Sequence, residues 1–293
     1  MDNTIATIGF FDGVHCGHRY LIRQLKEQAA KSGLKTAVIT FPVHPRKVLQ
    51  QEYQPKLLTS FEERMKLLST LGIDQIHVLD FTRELSDLTA QDFIRKILRE
   101  KLNINELLIG YDHKFGKGRN DGFEQYVAYG KDCGINVYQA KELPEEEKNV
   151  SSTLIRRLLL EGKIKEVNEK LSYRYELEGK VVLGNQLGRT IGFPTANLEL
   201  KEKDKMLPND GVYSVFVETE GKNYRGMAYV GQRPTVTQQG GKRVEVNIFD
   251  FFDDIYGKNL RIELIDFIRP EVRFNNLEDL KEQLEKDRYQ ALI

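Results

Sequence analysis

The chain has 293 residues, 40% apolar and 30% charged; this is more than one hydrophobic core usually serves, so two domains are expected. Its 44 basic and 44 acidic side chains cancel, which removes the electrostatic argument for a nucleic-acid or membrane-surface partner. Cys16 and Cys133 form no CxxC pair, no basic and apolar leader opens the chain, and no apolar run approaches the ~20 residues of a spanning helix, so a protein of the reducing cytoplasm without a membrane segment is expected.

Residues 3–10 read as a strand, HRYLIRQLKEQAAKSG as a helix closed by Gly33, and LKTAVITF as a second strand. FEERMKLLSTLG reads as a helix with Gly72 beyond its end, and DQIHVLDF as a third strand. TAQDFIRKILREKL opens on a Thr89 cap with apolar residues at helical spacing. NELLIGYD and GINVYQAKEL read as the fourth and fifth strands. Strands alternating with helices predict a parallel, doubly wound sheet, which binds ligands at the carboxyl ends of its strands.

The pattern changes near residue 170. SSTLIRRLLLEGKIKEVNEKL predicts two short helices broken near Gly162. From Tyr173 come five short strands, YELEGKVVL, GVYSVFVETE, KNYRGMAYVG, KRVEVNIFDF and LRIELIDFIR, a spacing that predicts a small antiparallel barrel or sandwich. NLEDLKEQLEKDRYQALI closes the chain as an amphipathic helix capped by Asn276. The expected boundary is this change of architecture, without a flexible linker.

Between the first strand and helix lies GFFDGVHCGH, residues 9–18, holding two of the five histidines. A strand-to-helix loop offers free backbone N–H groups and the positive end of a helix dipole, which suits phosphate. Gly13 and Gly17 allow close approach, and His15 and His18 are placed to donate to phosphate oxygens as charge builds. Three other readings stand beside this one. A metal site would have half its ligands here, Cys16 as nucleophile has no assignable base, and the plain reading is that these are ordinary turn histidines.

GFFDGVHCGH is similar to the HxGH signature of the nucleotidyltransferase superfamily in its bacterial FAD synthetase form. TFPVHPRKVL (40–49) resembles the F-x-P-H-P segment of that family, GYDHKFGKGRNDG (110–122) its G-x-D-F-x-F-G-x-x-R-x-G loop, and VSSTLIRRLL (150–159) its I-S-S-T-x-I-R block. The resemblance implies adenylyl transfer from ATP to FMN. His15 and His18 would be the catalytic pair. Gly9, Phe10, Gly13, Asp112, Ser152, Thr153 and Arg156 would hold ATP, and His44, Pro45 and Arg119 the flavin. From the residues alone, Ser152 and Thr153 are caps for a helix from Leu154, Asp112 and Arg119 solvated loop residues, and His44 a turn former. His113 stands where this family has Phe.

In the second half, GRTIGFPTANL (188–198) predicts neither helix nor central strand, given Gly188, Gly192 and Pro194. No GxxxxGK[ST] occurs in the chain. The segment resembles the PTAN loop of riboflavin kinases. GQRPT (231–235) is similar to their G-x-x-P-T turn, and KRVEVNIFDFFDDIYGKNLRI (242–262) to their segment with the catalytic glutamate. Alternation along VEVNIF puts Glu245 and Asn247 on the face opposite Val244, Val246 and Ile248, where a solvent-facing glutamate is the plain reading. The resemblance implies instead that Glu245 is the base for the ribityl hydroxyl, that Gly188, Gly192 and Pro194 hold ATP, and that Thr195 and Asn197 hold Mg²⁺. Tyr229 stands where this family has Asn.

The two resemblances together imply the prokaryotic bifunctional riboflavin kinase/FAD synthetase family: an α/β doubly wound nucleotidyltransferase domain over residues 1–170, then an antiparallel β-barrel kinase domain over 171–293 with a C-terminal helix. Riboflavin, FMN, FAD and ATP would be its substrates and products, Mg²⁺ its metal, and a monomer or weak homo-oligomer its form, without nucleic-acid or membrane partners. Two other classes stay open: an enzyme with one surviving site, and a flavin-binding module without turnover. An aminoacyl-tRNA synthetase would need a KMSKS-like lysine loop and an anticodon domain, and the chain shows neither.

Overall fold

The computed structural model describes residues 3–49, 55–144, 150–184, 187–232 and 242–293, which group into two compact units, Met1–Ser151 and Ser152–Ile293.

The first unit is a five-stranded parallel sheet, β1 (Thr4–Ile8), β2 (Lys35–Thr40), β3 (Gln75–Val78), β4 (Glu106–Ile109) and β5 (Asn136–Gln139), in the order β3-β2-β1-β4-β5. All five residues of β1 are buried, because both faces of the sheet are covered. Ala6, Ile8, Ala37 and Ile39 pack with Phe93, Ile94 and Leu98 on one side. Ile5, Val38 and Leu108 pack with Ile22, Leu25 and Leu68 on the other. The covering helices are α1 (Cys16–Ser32), the short α2 (Pro45–Leu49), α3 (Phe61–Ser69), the short α4 (Arg83–Ser86), α5 (Ala90–Asp92) running on as a π-helix over Phe93–Lys101, and α6 (Phe123–Cys133).

Local chemistry sets several of these ends. Thr89 caps α5 as expected, accepting from the Asp92 N–H at 3.1 Å. Ser60 and Glu63 form a reciprocal capping box at α3, with bonds of 3.0 and 2.9 Å. The helix α6 is an addition to the expected elements. Its buried face consists of Tyr126 and Gly130, too little apolar periodicity to announce a helix. Because β1 lies between β2 and β4, the crossovers leave it in opposite directions, and a crevice opens beyond the carboxyl ends of β1 and β4.

The second unit opens with α7 (Ser152–Leu160) and α8 (Ile164–Leu171), broken near Gly162 as expected. The unit begins ahead of the architectural change near 170 because α8 packs on the barrel: Asn168 Nδ2 donates to the Leu264 carbonyl at 2.9 Å and its Oδ1 accepts from the Tyr175 N–H at 2.8 Å. Ser152 and Thr153, expected as caps of a helix from Leu154, lie inside the first turn instead.

The barrel comprises β6 (Glu176–Val182), a helical turn α9 (Leu187–Thr190), β7 (Ala196–Leu200), β8 (Gly211–Thr219), β9 (Lys222–Gln232), β10 (Lys242–Ile248) and β11 (Asn259–Arg269). It closes in the order β10-β7-β6-β11-β8-β9 with β9 paired to β10, all antiparallel. This corrects the reading of 188–198 as neither helix nor central strand. Residues 187–190 form a helical turn, and β7 pairs on both sides, with β6 and β10. Pro194 falls two residues before the strand, so the ladder loses no donor. Finally α10 (Leu277–Leu292) starts at Asn276, whose side chain accepts from the Asp279 N–H at 2.8 Å. It is tied to β11 by fully buried Asp287, which pairs with Arg269 at 2.7 Å.

Candidate active sites

The first site is built on the loop from β1 to α1. His15 is the N-cap of α1, and its Nδ1 accepts from the His18 N–H at 3.4 Å. His18 is the third residue inside the helix, so the three-residue spacing brings both rings to one side of the first turn. They stack with centroids 3.7 Å apart and planes 18° from parallel. Burial, then the neighbouring His15, His113 and Arg64, hold His18 well below the ordinary histidine pKa and keep it neutral at pH 7. Its Nδ1 is buried and has no hydrogen-bond partner among the described residues.

The backbone here is strained. Phe11 and Val14 have φ of 57° and 39° and Gly13 has 81°; the two non-glycine residues cost on the order of 1–3 kcal/mol each. A clamp from another loop offsets this. Asp12, buried, accepts from the N–H groups of Leu58 and Thr59 at 3.0 and 3.1 Å and from the Thr59 hydroxyl at 3.2 Å. The Gly13 N–H donates to Thr59 Oγ1 at 3.0 Å. Asp12 and Thr59 are functional in this sense, and the motif reading singled out neither.

Arg64 is the third residue that sequence reasoning missed. It is fully buried, 4.0 Å from the centroid of the Phe10 ring, and donates to the Phe41 carbonyl at 2.6 Å. Burial lowers its pKa to about 10, with Asp12 opposing. The available signal was its place on the core stripe of α3, four residues before Leu68. The Phe10 ring in turn meets His44 edge-on at 4.6 Å. His44 shapes a turn as well: its Nδ1 accepts from the Arg46 N–H at 3.1 Å, and Pro45 begins α2. Gly9 donates to the Ile39 carbonyl at the end of β2, so Gly9, Phe10, Gly13, His15, His18 and His44 gather at the carboxyl ends of β1 and β2.

The loop after β4 brings His113 close enough to His18 that protonating one disfavours protonating the other. Burial, then Arg119, push His113 down to about 4 against the opposing pull of Asp112. It is thus a neutral ring, set 6.2 Å from Phe115; its ring occupies the aromatic position of the family pattern. Asp112 is exposed. Arg119 is exposed too and donates from Nε to the Lys114 carbonyl at 2.9 Å. Ser152, Thr153 and Arg156 lie on the first turns of α7, in the second unit.

The second site lies on the outer face of the barrel wall. Glu245 on β10 stands directly opposite Asn197 on β7 and Tyr229 on β9, so the three side chains share one face. Val244 and Val246 point to the buried interior. The loop before β7 is fixed by Asn247, which donates from Nδ2 to the Pro194 carbonyl at 2.7 Å; Asn247 shares Glu245's face and was not singled out as functional. Gly188 is held by a tight turn, its carbonyl accepting from the Phe193 N–H at 2.8 Å, and a side chain on it would strike the Phe193 carbonyl. Gly192 is exposed at φ 85°. Of the expected G-x-x-P-T turn, residues 233–235 lie outside the described residues.

Thr195, Asn197 and Glu245 supply hard oxygen donors. Among the described residues no group of three or more His, Cys, Asp or Glu side chains is arranged to hold a metal.

A family model described as FAD synthetase matches residues 1–154, and one described as riboflavin kinase matches 171–292. A bifunctional riboflavin kinase/FMN adenylyltransferase of Listeria monocytogenes is 39% identical over 286 residues, covering 97% of this chain and 90% of the relative. The protein of the same description from Bacillus subtilis is 35% identical, covering 99% and 92%. A solved structure described as a macrolide-efflux protein from Streptococcus pneumoniae is similar with a TM-score of 0.88 at 35% identity, covering 99% of this chain and 94% of that one. No helix among the described residues is long and apolar enough to cross a membrane.

Proposed function

This chain belongs to the bifunctional riboflavin kinase/FMN adenylyltransferase family, and we propose that its two reactions run on the two residue sets described above. One observation carries the reading: the two family models match in order, each over the residues that hold its own set, the histidine pair in one and the Glu245–Asn197 row in the other. The enzyme phosphorylates riboflavin to FMN and adenylylates FMN to FAD. We assign adenylyl transfer to residues 1–170 and the kinase to 171–293; residues 155–170 fall in neither matched segment.

For adenylyl transfer, an FMN phosphate oxygen attacks the α-phosphorus of ATP, the P–O bond to the β-phosphate breaks, and pyrophosphate leaves. The attacking oxygen is already ionised at pH 7, so no base is required. The work is positioning and stabilisation of charge. His15 and His18, on the first turn of α1, donate to the phosphates beside the positive end of the helix dipole. The unpartnered Nδ1 of His18 supports a ligand oxygen there. Gly9, Phe10, Gly13 and Asp112 belong to the ATP site, and His44, Pro45 and Arg119 to the flavin site.

For the kinase step, Glu245 takes the proton of the ribityl 5′-hydroxyl as that oxygen bonds to the γ-phosphorus and ADP departs. Gly188, Gly192 and Pro194 line the nucleotide phosphates, and Thr195 and Asn197 hold Mg²⁺. When bound, that ion neutralises charge on the transferring phosphates. The reading includes a cytoplasmic enzyme, a monomer or weak homo-oligomer, without nucleic-acid partners; for the last of these, zero net charge removes the electrostatic argument for nucleic acid.

The experiment is chromatography of flavins after incubating the protein with riboflavin, ATP and Mg²⁺. FMN followed by FAD is expected. FMN alone, with supplied FMN left unconverted, would remove the adenylyl-transfer assignment, and unchanged riboflavin would remove the kinase assignment.

A further inference from the structure

The kinase carboxylate is held by side chains to which the family resemblance gives no role. Glu245 Oε1 lies 3.1 Å from Arg243 Nη1, and the two residues, two apart on β10, face the same way. The Arg243 guanidinium sits over the Tyr229 ring, 5.2 Å from its centroid. Tyr229 donates from its hydroxyl to Glu271 Oε1 at 2.6 Å. Tyr229 also packs against a cluster that includes Phe193, Met227 and Phe249.

The strand register explains the arrangement. Tyr229 is opposite Glu245, and Gly231 is opposite Arg243. A side chain on Gly231 would collide with the Tyr229 phenol. The bare glycine therefore leaves the space along β9 in which the ring lies down beneath Arg243. Burial and the bond to Glu271 push Tyr229 up to about 12, with Arg243 opposing, so the phenol stays a protonated donor over the working pH range.

We propose that Arg243, seated on Tyr229 in the space left by Gly231, is a positioning residue that aims the Glu245 carboxylate at the riboflavin hydroxyl. The inference rests on Glu245 being the base. A glutamate has three side-chain torsions, while a base must sit within hydrogen-bond reach of the proton it removes. Arg243 restricts those torsions, the cation–π contact restricts Arg243, and the Glu271 bond restricts Tyr229. Tyrosine in place of the family's asparagine thus acts here as a platform.

The test is steady-state kinetics of riboflavin phosphorylation by the full chain carrying R243Q, R243K, E245Q or R243Q/E245Q. The expected result for R243Q is a kcat for FMN formation lowered roughly 10- to 100-fold at unchanged KM for riboflavin and ATP. R243K should recover part of the rate. In the E245Q background R243Q should cost nothing further, since it acts through Glu245. FAD formation from supplied FMN provides the control. If R243Q keeps the parent kcat while E245Q loses it, this inference falls and the base assignment stands. If E245Q keeps the parent kcat, the base assignment falls. A rise in KM alone, or an equal further loss on the E245Q background, would also overturn the positioning role.

Discussion

The imidazoles of His15 and His18 stack 3.7 Å apart on the first turn of α1. A stacked pair in so buried a place is tolerable because His18 is neutral there; two imidazolium rings at that distance would repel strongly. In the proposed role the pair would meet the triphosphate as hydrogen-bond donors rather than as a pair of cations.

Replacing His18 by Ala should remove one such donor and lower FAD formation from FMN by about 10²- to 10³-fold. FMN formation from riboflavin should continue. Chromatography of the flavins at matched times distinguishes the two, and FAD formed at the parent rate would refute the role.

The clamp of Asp12 on residues 58 and 59 predicts a stability effect confined to the first unit. Asp12→Ala leaves buried N–H groups of Leu58 and Thr59 without an acceptor, at about 1–3 kcal/mol each. The strained loop 11–14 then loses its restraint. Calorimetry should show an earlier unfolding transition, and FAD formation should fall while FMN formation persists.

His113 gives a pH dependence with a definite sign. Its pKa is about 4 in the folded chain and about 6.5 in an unfolded one. Below pH 6.5 the unfolded state binds the proton that the folded state refuses, so stability falls as pH drops from 6.5 towards 4. His18, shifted in the same direction, adds to the slope. His113→Phe should flatten this acid limb by about 1–3 kcal/mol, read from urea unfolding at pH 7.5 and pH 5. An unchanged slope would mean that the ring is protonated in the native state.

Asn247→Ala should free the Pro194 carbonyl and loosen the approach to β7. The expected outcome is a raised KM for ATP in FMN formation and a loss of about 1–2 kcal/mol from the lost bond. An unchanged KM would confine Asn247 to a structural role.

Long apolar periodicities were legible, so β1 to β5, α1, α3 and the two-helix segment 152–171 lie close to where the pattern puts them. α6 was not, because its core face includes a glycine. β7 was obscured by Pro194 and Gly192, which break the chain just before a strand that is paired on both sides. The HxGH spacing was legible because it is local: N-cap and third helical residue. Asp12, Arg64 and the Arg243–Tyr229 contact were hidden for the opposite reason. Their meaning arises only when segments distant in sequence, such as 12 and 58 or 229 and 271, are brought together. Tyr229 still left a trace as a departure from the family pattern, and the structure gives that departure a physical content.

The closure of β9 onto β10 has a consequence for what happens to this chain when it is crowded or heated. A barrel closed by its own hydrogen bonds offers no row of unpaired backbone groups to a neighbouring molecule. The parallel sheet is open, and its two outer strands, β3 and β5, have four residues each. Among the described strands, recruitment of a second chain by edge pairing has only these two short segments to use, so aggregation through native-like strands would begin in the first unit rather than in the barrel.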